Sequence, residues 1–155
     1  MSAKFLPPAL VVKILVFLSN YYPRLVMPAT DFESTFDDAF GDKDWAQTFR
    51  QDPKISVSIQ PTIGSVAAVL ATGARLRPKA KEFPSIPFLA IHGQRDVRTS
   101  VEAMVQFVDQ MGPNKASMIL IDTDGHQLLQ DVPEISSRVM HQVRDWITAQ
   151  IDAAK

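Results

Sequence analysis

Two residues in this chain have the type, order and setting for proton-transfer chemistry: Asp96 and His126, thirty positions apart. Asp96 lies in the stretch IPFLAIHGQRDVRTS (Ile86 to Ser100), and His126 in MILIDTDGHQLLQD (Met118 to Asp131). Each is an apolar run that stops at a turn and then presents one titratable side chain. A histidine near neutral pH takes a proton from a hydroxyl nucleophile and hands it to a leaving group. A carboxylate bonded to its other ring nitrogen fixes the tautomer and stabilises the imidazolium. An acid and a histidine at adjacent strand ends are therefore two members of a hydrolytic triad, and the serine has to be sought. His92, inside a strand end, and His141, on a helix, read as non-catalytic.

The elements that must carry the pair follow from periodicity. Phe88 to His92 is a continuous apolar run, as expected of a strand buried on both faces. Thr99-Ser-Val-Glu102 has the spacing of a capping box and should open a helix with Val101, Met104, Val105, Val108 and Met111 on one stripe. Gly112-Pro113 stops it. Met118 to Ile121 is the next strand. Asp131 and Pro133 start a last helix, with Ile135, Val139, Val143, Trp146 and Ile147 inward. Strand, helix, strand, helix makes a βαβα unit with parallel strands and a right-handed crossover. Ligands bind outside the carboxyl ends of such strands, where Asp96 and His126 both fall. Acid before histidine is the α/β-hydrolase order, with the serine expected earlier in the chain.

The N-terminal half reads differently. Phe5 to Leu18, FLPPALVVKILVFL, is apolar around Lys13 and predicts a helix from Pro7-Pro8 to about Ser19. It is shorter than the roughly 20 apolar residues of a membrane span and lacks the flanks of a secretory signal. A buried helix is the first reading, and a lid helix lying against lipid the second. Phe32, Phe36, Phe40, Trp45 and Phe49 recur every three to five positions, which suits short helices burying an aromatic face. KISVSIQ (Lys54 to Gln60) alternates strictly, as a half-buried strand does. Thr62 or Gly64 opens a helix with Val66, Val69 and Leu70 on one face, ending near Leu76 before Pro78. RLRPKAKE then reads as a surface connection. The boundary falls near residue 80, between a helical region, 1–80, and the βαβα unit, 81–155.

Composition narrows the function classes. The net charge is −1, so nothing favours nucleic acid as a partner. With no cysteine there is no disulfide, thiolate metal site or cysteine nucleophile. Asp122-Thr-Asp124-Gly125 echoes a calcium loop but lacks its third acid and distant glutamate. No metal or cofactor is expected. The reading is cytoplasmic, with peripheral membrane contact through the N-terminal apolar helix as its variant.

The assembled motifs resemble a known family. PFLAIHGQRDVRTS followed by DGHQLLQDVPE and VRDWI is similar to the monoacylglycerol lipase and lysophospholipase group of α/β-hydrolases, especially its plant-type branch. PPALVVKIL, YYPRLVMP, FGDKDWAQTFRQDP and IGSVAAVL resemble that branch's helical cap, in order and at similar spacing. The resemblance implies a partial α/β-hydrolase fold, cap then C-terminal core. It implies Asp96 as triad acid, His126 as triad histidine and a lipid ester substrate. The sequence departs from the family at Ser100, often an acid there, and at Gln94-Arg95, where small or acidic residues are usual.

The family's serine sits in a Gly-x-Ser-x-Gly elbow before the cap. None of the six glycines here, at 41, 64, 73, 93, 112 and 125, begins that motif. The nearest imitation, Gly64-Ser65-Val66, has its serine one place early. Two expectations follow. The chain is the acid-and-histidine part of a lipid-ester hydrolase, present as a fragment, or it is a non-enzymatic module that binds a lipid or a partner. Strands cut from a larger parallel sheet would also leave open edges that invite self-association.

Overall fold

The computed structural model describes residues 9–27, 36–55 and 60–155. Its helices are α1 (Ala9–Ser19), α2 (Lys43–Gln51), α3 (Ile63–Leu76), α4 (Val101–Met111) and α5 (Pro133–Ala153). The strands are β1 (Phe88–Gly93) and β2 (Ala116–Ile121), and short 3-10 turns cover Asp37–Ala39, Arg77–Glu82 and Leu128–Gln130. The strand expected over Lys54 to Gln60 lies largely outside the described residues.

The C-terminal half is the βαβα unit that the sequence predicts. β1 and β2 pair in parallel, in a register running from Phe88 opposite Ala116 to Gly93 opposite Ile121. Helix α4 links them and buries Val108 and Met111 against Ala80, Ala90 and Ala116. Phe83 meets Phe88 and Phe107 edge-on, at centroid distances of 5.5 and 6.3 Å. Such pairs add about 0.5–1.5 kcal/mol each beyond their buried area. The cap of α4 differs from expectation. Ser100, not Thr99, is the N-cap, accepting from the Ala103 N–H at 3.1 Å. Glu102 accepts from the Ser100 hydroxyl at 2.8 Å. Thr99 is drawn away by Asp96.

The N-terminal half is helical. Thr62 and Ser65 form a reciprocal capping box at the start of α3, so the Ser65 hydroxyl is spent on the helix end. Helix α3 buries Ile63 and Ala67, whereas Val69, expected inward, is 65% exposed. Val66 and Leu70 are half-buried on the same face, so of the three residues expected inward Val69 alone departs. Helix α1 packs on α3, and the backbone that follows it bonds to the start of α3 through Leu25 and Pro23 carbonyls. Its apolar surface exceeds what one neighbour covers: Leu10, Ile14 and Phe17 stand exposed, with the Tyr21 ring tilted against Phe17 at a centroid distance of 5.3 Å. That overturns the buried-helix reading of this segment. Among the described residues no helix is long and apolar enough to cross a membrane. Phe36, Phe40 and Phe49 close around Ala39 and Ala46 as the aromatic spacing suggests, while Trp45 stays partly exposed. Phe32 lies outside the described residues.

Candidate active site

Apolar strands need no polar company, so buried polar groups mark places where something else is required. Among the described residues the buried polar side chains are His92, Asp96, Thr123 and Asp131. All four sit at or just beyond the carboxyl ends of β1 and β2. Chain geometry brings the two ends together. Gly93 closes β1 at a point where any side chain would press on the Gly125 and Thr123 carbonyls. The turn after it is then tied to the loop beyond β2, Gln94 N–H to Ile121 O at 2.8 Å and Arg95 N–H to Thr123 O at 3.0 Å. An Arg95–Asp122 ion pair spans the same gap. Both partners are largely exposed, so the pair adds little to stability.

Across this gap His126 Nδ1 meets Asp96 Oδ2 at 2.8 Å. The Asp96 carboxylate has a full set of donors. Oδ1 accepts from the backbone N–H groups of Arg98 (2.7 Å) and Thr99 (3.2 Å). Oδ2 accepts from the Thr99 hydroxyl (2.6 Å) as well as from His126. Burial alone would raise the Asp96 carboxyl. The bonds from Thr99 Oγ1, His126 and the two backbone N–H groups outweigh it and hold the group below the ordinary carboxylate range. Asp96 is therefore a fixed anion.

His126 is posted differently. Its side chain is 36% exposed against 2% for Asp96, so one end of the couple is sealed and the other is open. With Nδ1 donating to Asp96, the ring presents Nε2 as a lone-pair base, and among the described residues nothing bonds to it. The backbone beneath is held from the N-terminal half: the N–H groups of His126 and Gln127 both donate to Ala39 O, at 3.0 and 2.8 Å. Asp131 locks the other side of the loop. It accepts from the Thr123 hydroxyl at 2.7 Å, and that hydroxyl accepts from Gly125 N–H at 3.0 Å. Beside His126 a groove of about 670 Å³ opens between β1 and α5, lined by Leu89, Ile91, Val143 and Trp146 among others.

Both residues singled out for chemistry thus meet at one point. His141 is exposed on α5, and Ser65 is a helix cap. Three supporting residues were missed by reading the sequence: Thr99, assigned to a helix cap; Asp131, assigned to a helix start; and His92, set aside. The Thr99 spacing three after Asp96 carried a signal, since a short hydroxyl there can fold back on a carboxylate.

A family model, Hydrolase_4 (serine aminopeptidase, S33), matches residues 1–133. No curated protein matches the chain. Among solved structures, a soluble variant of monoglyceride lipase from Saccharomyces cerevisiae, in complex with a substrate analog, superposes with a TM-score of 0.72 at 17% identity. That match covers 91% of this chain and 49% of the yeast chain. Paleococcus ferrophilus monoacylglycerol lipase gives a TM-score of 0.75 at 16% identity, covering 92% of this chain and 53% of its own. The chain spans about half the length of these structures, and within that half its fold is theirs: an α/β-hydrolase fold in part.

Proposed function

The chain belongs to the Hydrolase_4 family (serine aminopeptidase, S33), and on that premise we propose that it carries the acid–histidine part of a serine-hydrolase site for a lipid-type carboxylic ester such as a monoacylglycerol. In this reading residues 1–80 are the cap and 81–155 the C-terminal part of the catalytic core. One observation carries it: the sealed Asp96 carboxylate bonded at 2.8 Å to a histidine whose Nε2 is open. A module that only binds has no need of a buried anion holding an exposed imidazole in one tautomer.

The mechanism follows from the couple. Asp96 keeps the proton on Nδ1. Nε2 removes the proton of a serine hydroxyl as it attacks the ester carbonyl, and the imidazolium formed is stabilised by the carboxylate beside it. The proton then passes from Nε2 to the departing alcohol. Water attacks the acyl-enzyme by the same route in reverse. The nucleophile and oxyanion hole would come from a Gly-x-Ser-x-Gly half that these 155 residues do not contain. The sheet supports such completion, because the two parallel strands found among the described residues are far below what a stable parallel sheet needs. The exposed side of α1, with Leu10, Ile14 and Phe17, suits an acyl chain or a lipid surface.

A second reading, a non-catalytic lipid- or partner-binding module, is favoured by one fact, the lack of any Gly-x-Ser-x-Gly among these residues. The deciding experiment expresses the chain together with the coding sequence upstream of Met1 and assays monoacylglycerol hydrolysis. Activity abolished by both Asp96→Asn and His126→Ala supports the hydrolase. An extended product without an elbow serine, or with activity indifferent to these residues, supports the module.

A further inference from the structure

We infer that Thr99 and His92 are positioning residues for the Asp96–His126 couple, forming a one-way chain of donors, His92 to Thr99 to Asp96, that holds Oδ2, the same carboxylate oxygen to which His126 bonds. The inference rests on the hydrolase reading above and deepens it.

The direction of the chain comes from counting protons. Thr99 has one hydroxyl proton and two neighbours for it, Asp96 Oδ2 at 2.6 Å and His92 Nε2 at 3.0 Å. An ionised carboxylate can only accept. A bond to a charged acceptor is also the shorter and stronger kind. The proton therefore points at Asp96, and Thr99 Oγ1 must accept from His92 Nε2–H. His92 is buried, so no solvent offers it another partner. The Gly93 carbonyl oxygen lies 2.9 Å from Nδ1 and competes for the one proton that a neutral ring carries; the Thr99–Asp96 bond, which leaves Oγ1 with lone pairs alone toward His92, places that proton on Nε2. Direct contact does not explain the arrangement, since His92 Nε2 is 3.7 Å from Asp96 Oδ2. Thr99 bridges that distance.

The need for the bridge is mechanical. A carboxylate can orient an imidazole only if something else orients the carboxylate. Rotation about the last Asp torsion is soft. Backbone N–H groups pin Oδ1, but Oδ2, the oxygen that faces His126, has Thr99 as its one other donor among the described residues. His92 in turn fixes the hydroxyl rotor by occupying its acceptor side.

The test uses the full chain labelled with ¹⁵N and reads the protonation of each histidine ring nitrogen by long-range ¹H–¹⁵N correlation, with His141 as the exposed reference. Expected in the unaltered chain are a proton on His126 Nδ1 and one on His92 Nε2. Thr99→Val should lose the Nδ1–H signal of His126 in favour of the Nε2–H form that free imidazole prefers, and Thr99→Ser should restore it. A merely structural threonine would lower stability in the valine variant and leave the tautomer alone. A folded Thr99→Val chain with the His126 Nδ1–H intact overturns the inference while leaving the couple standing. If the valine variant does not fold, the unaltered chain still decides: a His92 Nε2 without a proton breaks the chain of donors. An unaltered His126 without Nδ1–H overturns the hydrolase reading itself.

Discussion

Asp131 fills the space that a side chain at Gly41 would need: a Cβ built there overlaps its carboxyl group. Gly125, on the loop that carries His126, approaches the same carboxyl group from another side and faces the Gly41 backbone. A buried acid, two glycines from distant parts of the chain, and the Ala39 carbonyl that accepts from His126 N–H make one contact. Through it the N-terminal half touches the backbone of the proposed catalytic histidine. Close approach is the property both glycines supply here.

Gly41→Ala should therefore be costly although it adds only a methyl group. Overpacking against a buried carboxylate typically costs about 1–3 kcal/mol. Gly73→Ala is the control. Gly73 lies inside α3, and a Cβ there meets nothing, so helix propensity alone should stabilise by about 0.5–1 kcal/mol. Urea unfolding of both variants checks the pair. Equal effects would mean that the Asp131 contact does not form in solution.

Ile121 ends β2 fully buried, opposite Gly93 in the register. Ile121→Ala should cost about 2–5 kcal/mol and Ile121→Val about 0.5–1.5 kcal/mol. In a chain this size the alanine change should leave the sheet largely unfolded at 25 °C, which far-UV circular dichroism against the valine variant will show.

What the sequence made legible was whatever depends on local pattern. The apolar runs at Phe88 and Met118 gave both strands, and the turns after them gave Asp96 and His126. What it hid depends on competition or on distance. Thr99-x-x-Glu102 does match a capping box, but the Asp96 carboxylate three residues earlier is a stronger partner for that hydroxyl than a helix N–H, and Ser100 takes over the cap. Asp131 looked like a helix opener because its partners, Thr123 and Gly41, are folded against it from elsewhere. Apolarity in Leu10, Ile14 and Phe17 argued for burial. Periodicity says which face is apolar, and does not say that this chain holds enough structure to cover it.

The lowered Asp96 carboxyl sets a pH dependence of definite sign. Its folded value lies below the ordinary 3.8. On acidification the unfolded chain takes up the proton first, so stability is full above about pH 4 and is lost as pH falls through the folded value. Asp96→Asn removes this proton linkage. The expected result is a shallower fall in stability below pH 4 for the variant than for the parent, measured by thermal unfolding across pH 2 to 6. Parallel curves would mean that the carboxylate is not held as an anion.

The last prediction concerns the 155-residue chain tested by itself. A base accelerates ester hydrolysis only with a nucleophile to deprotonate and a site that holds the carbonyl. In the proposed reading His126 is the base, with Asp96 bonded to its Nδ1. The chain's nearest elbow imitation, Ser65, has its hydroxyl bonded within the α3 cap, where it donates to Thr62 O at 3.0 Å. Oxyanion-hole donors, whose removal costs about 3–4 kcal/mol of transition-state stabilisation in serine hydrolases, would accompany a nucleophile elbow, and these residues hold no Gly-x-Ser-x-Gly to build one. Water activated by His126 would approach a substrate that nothing orients. The purified chain should therefore hydrolyse a short-chain p-nitrophenyl ester no faster than its His126→Ala variant. A rate above buffer that disappears in that variant would show that another hydroxyl in this chain reaches Nε2. Labelling with a fluorophosphonate, which reacts with activated serines, would then identify it.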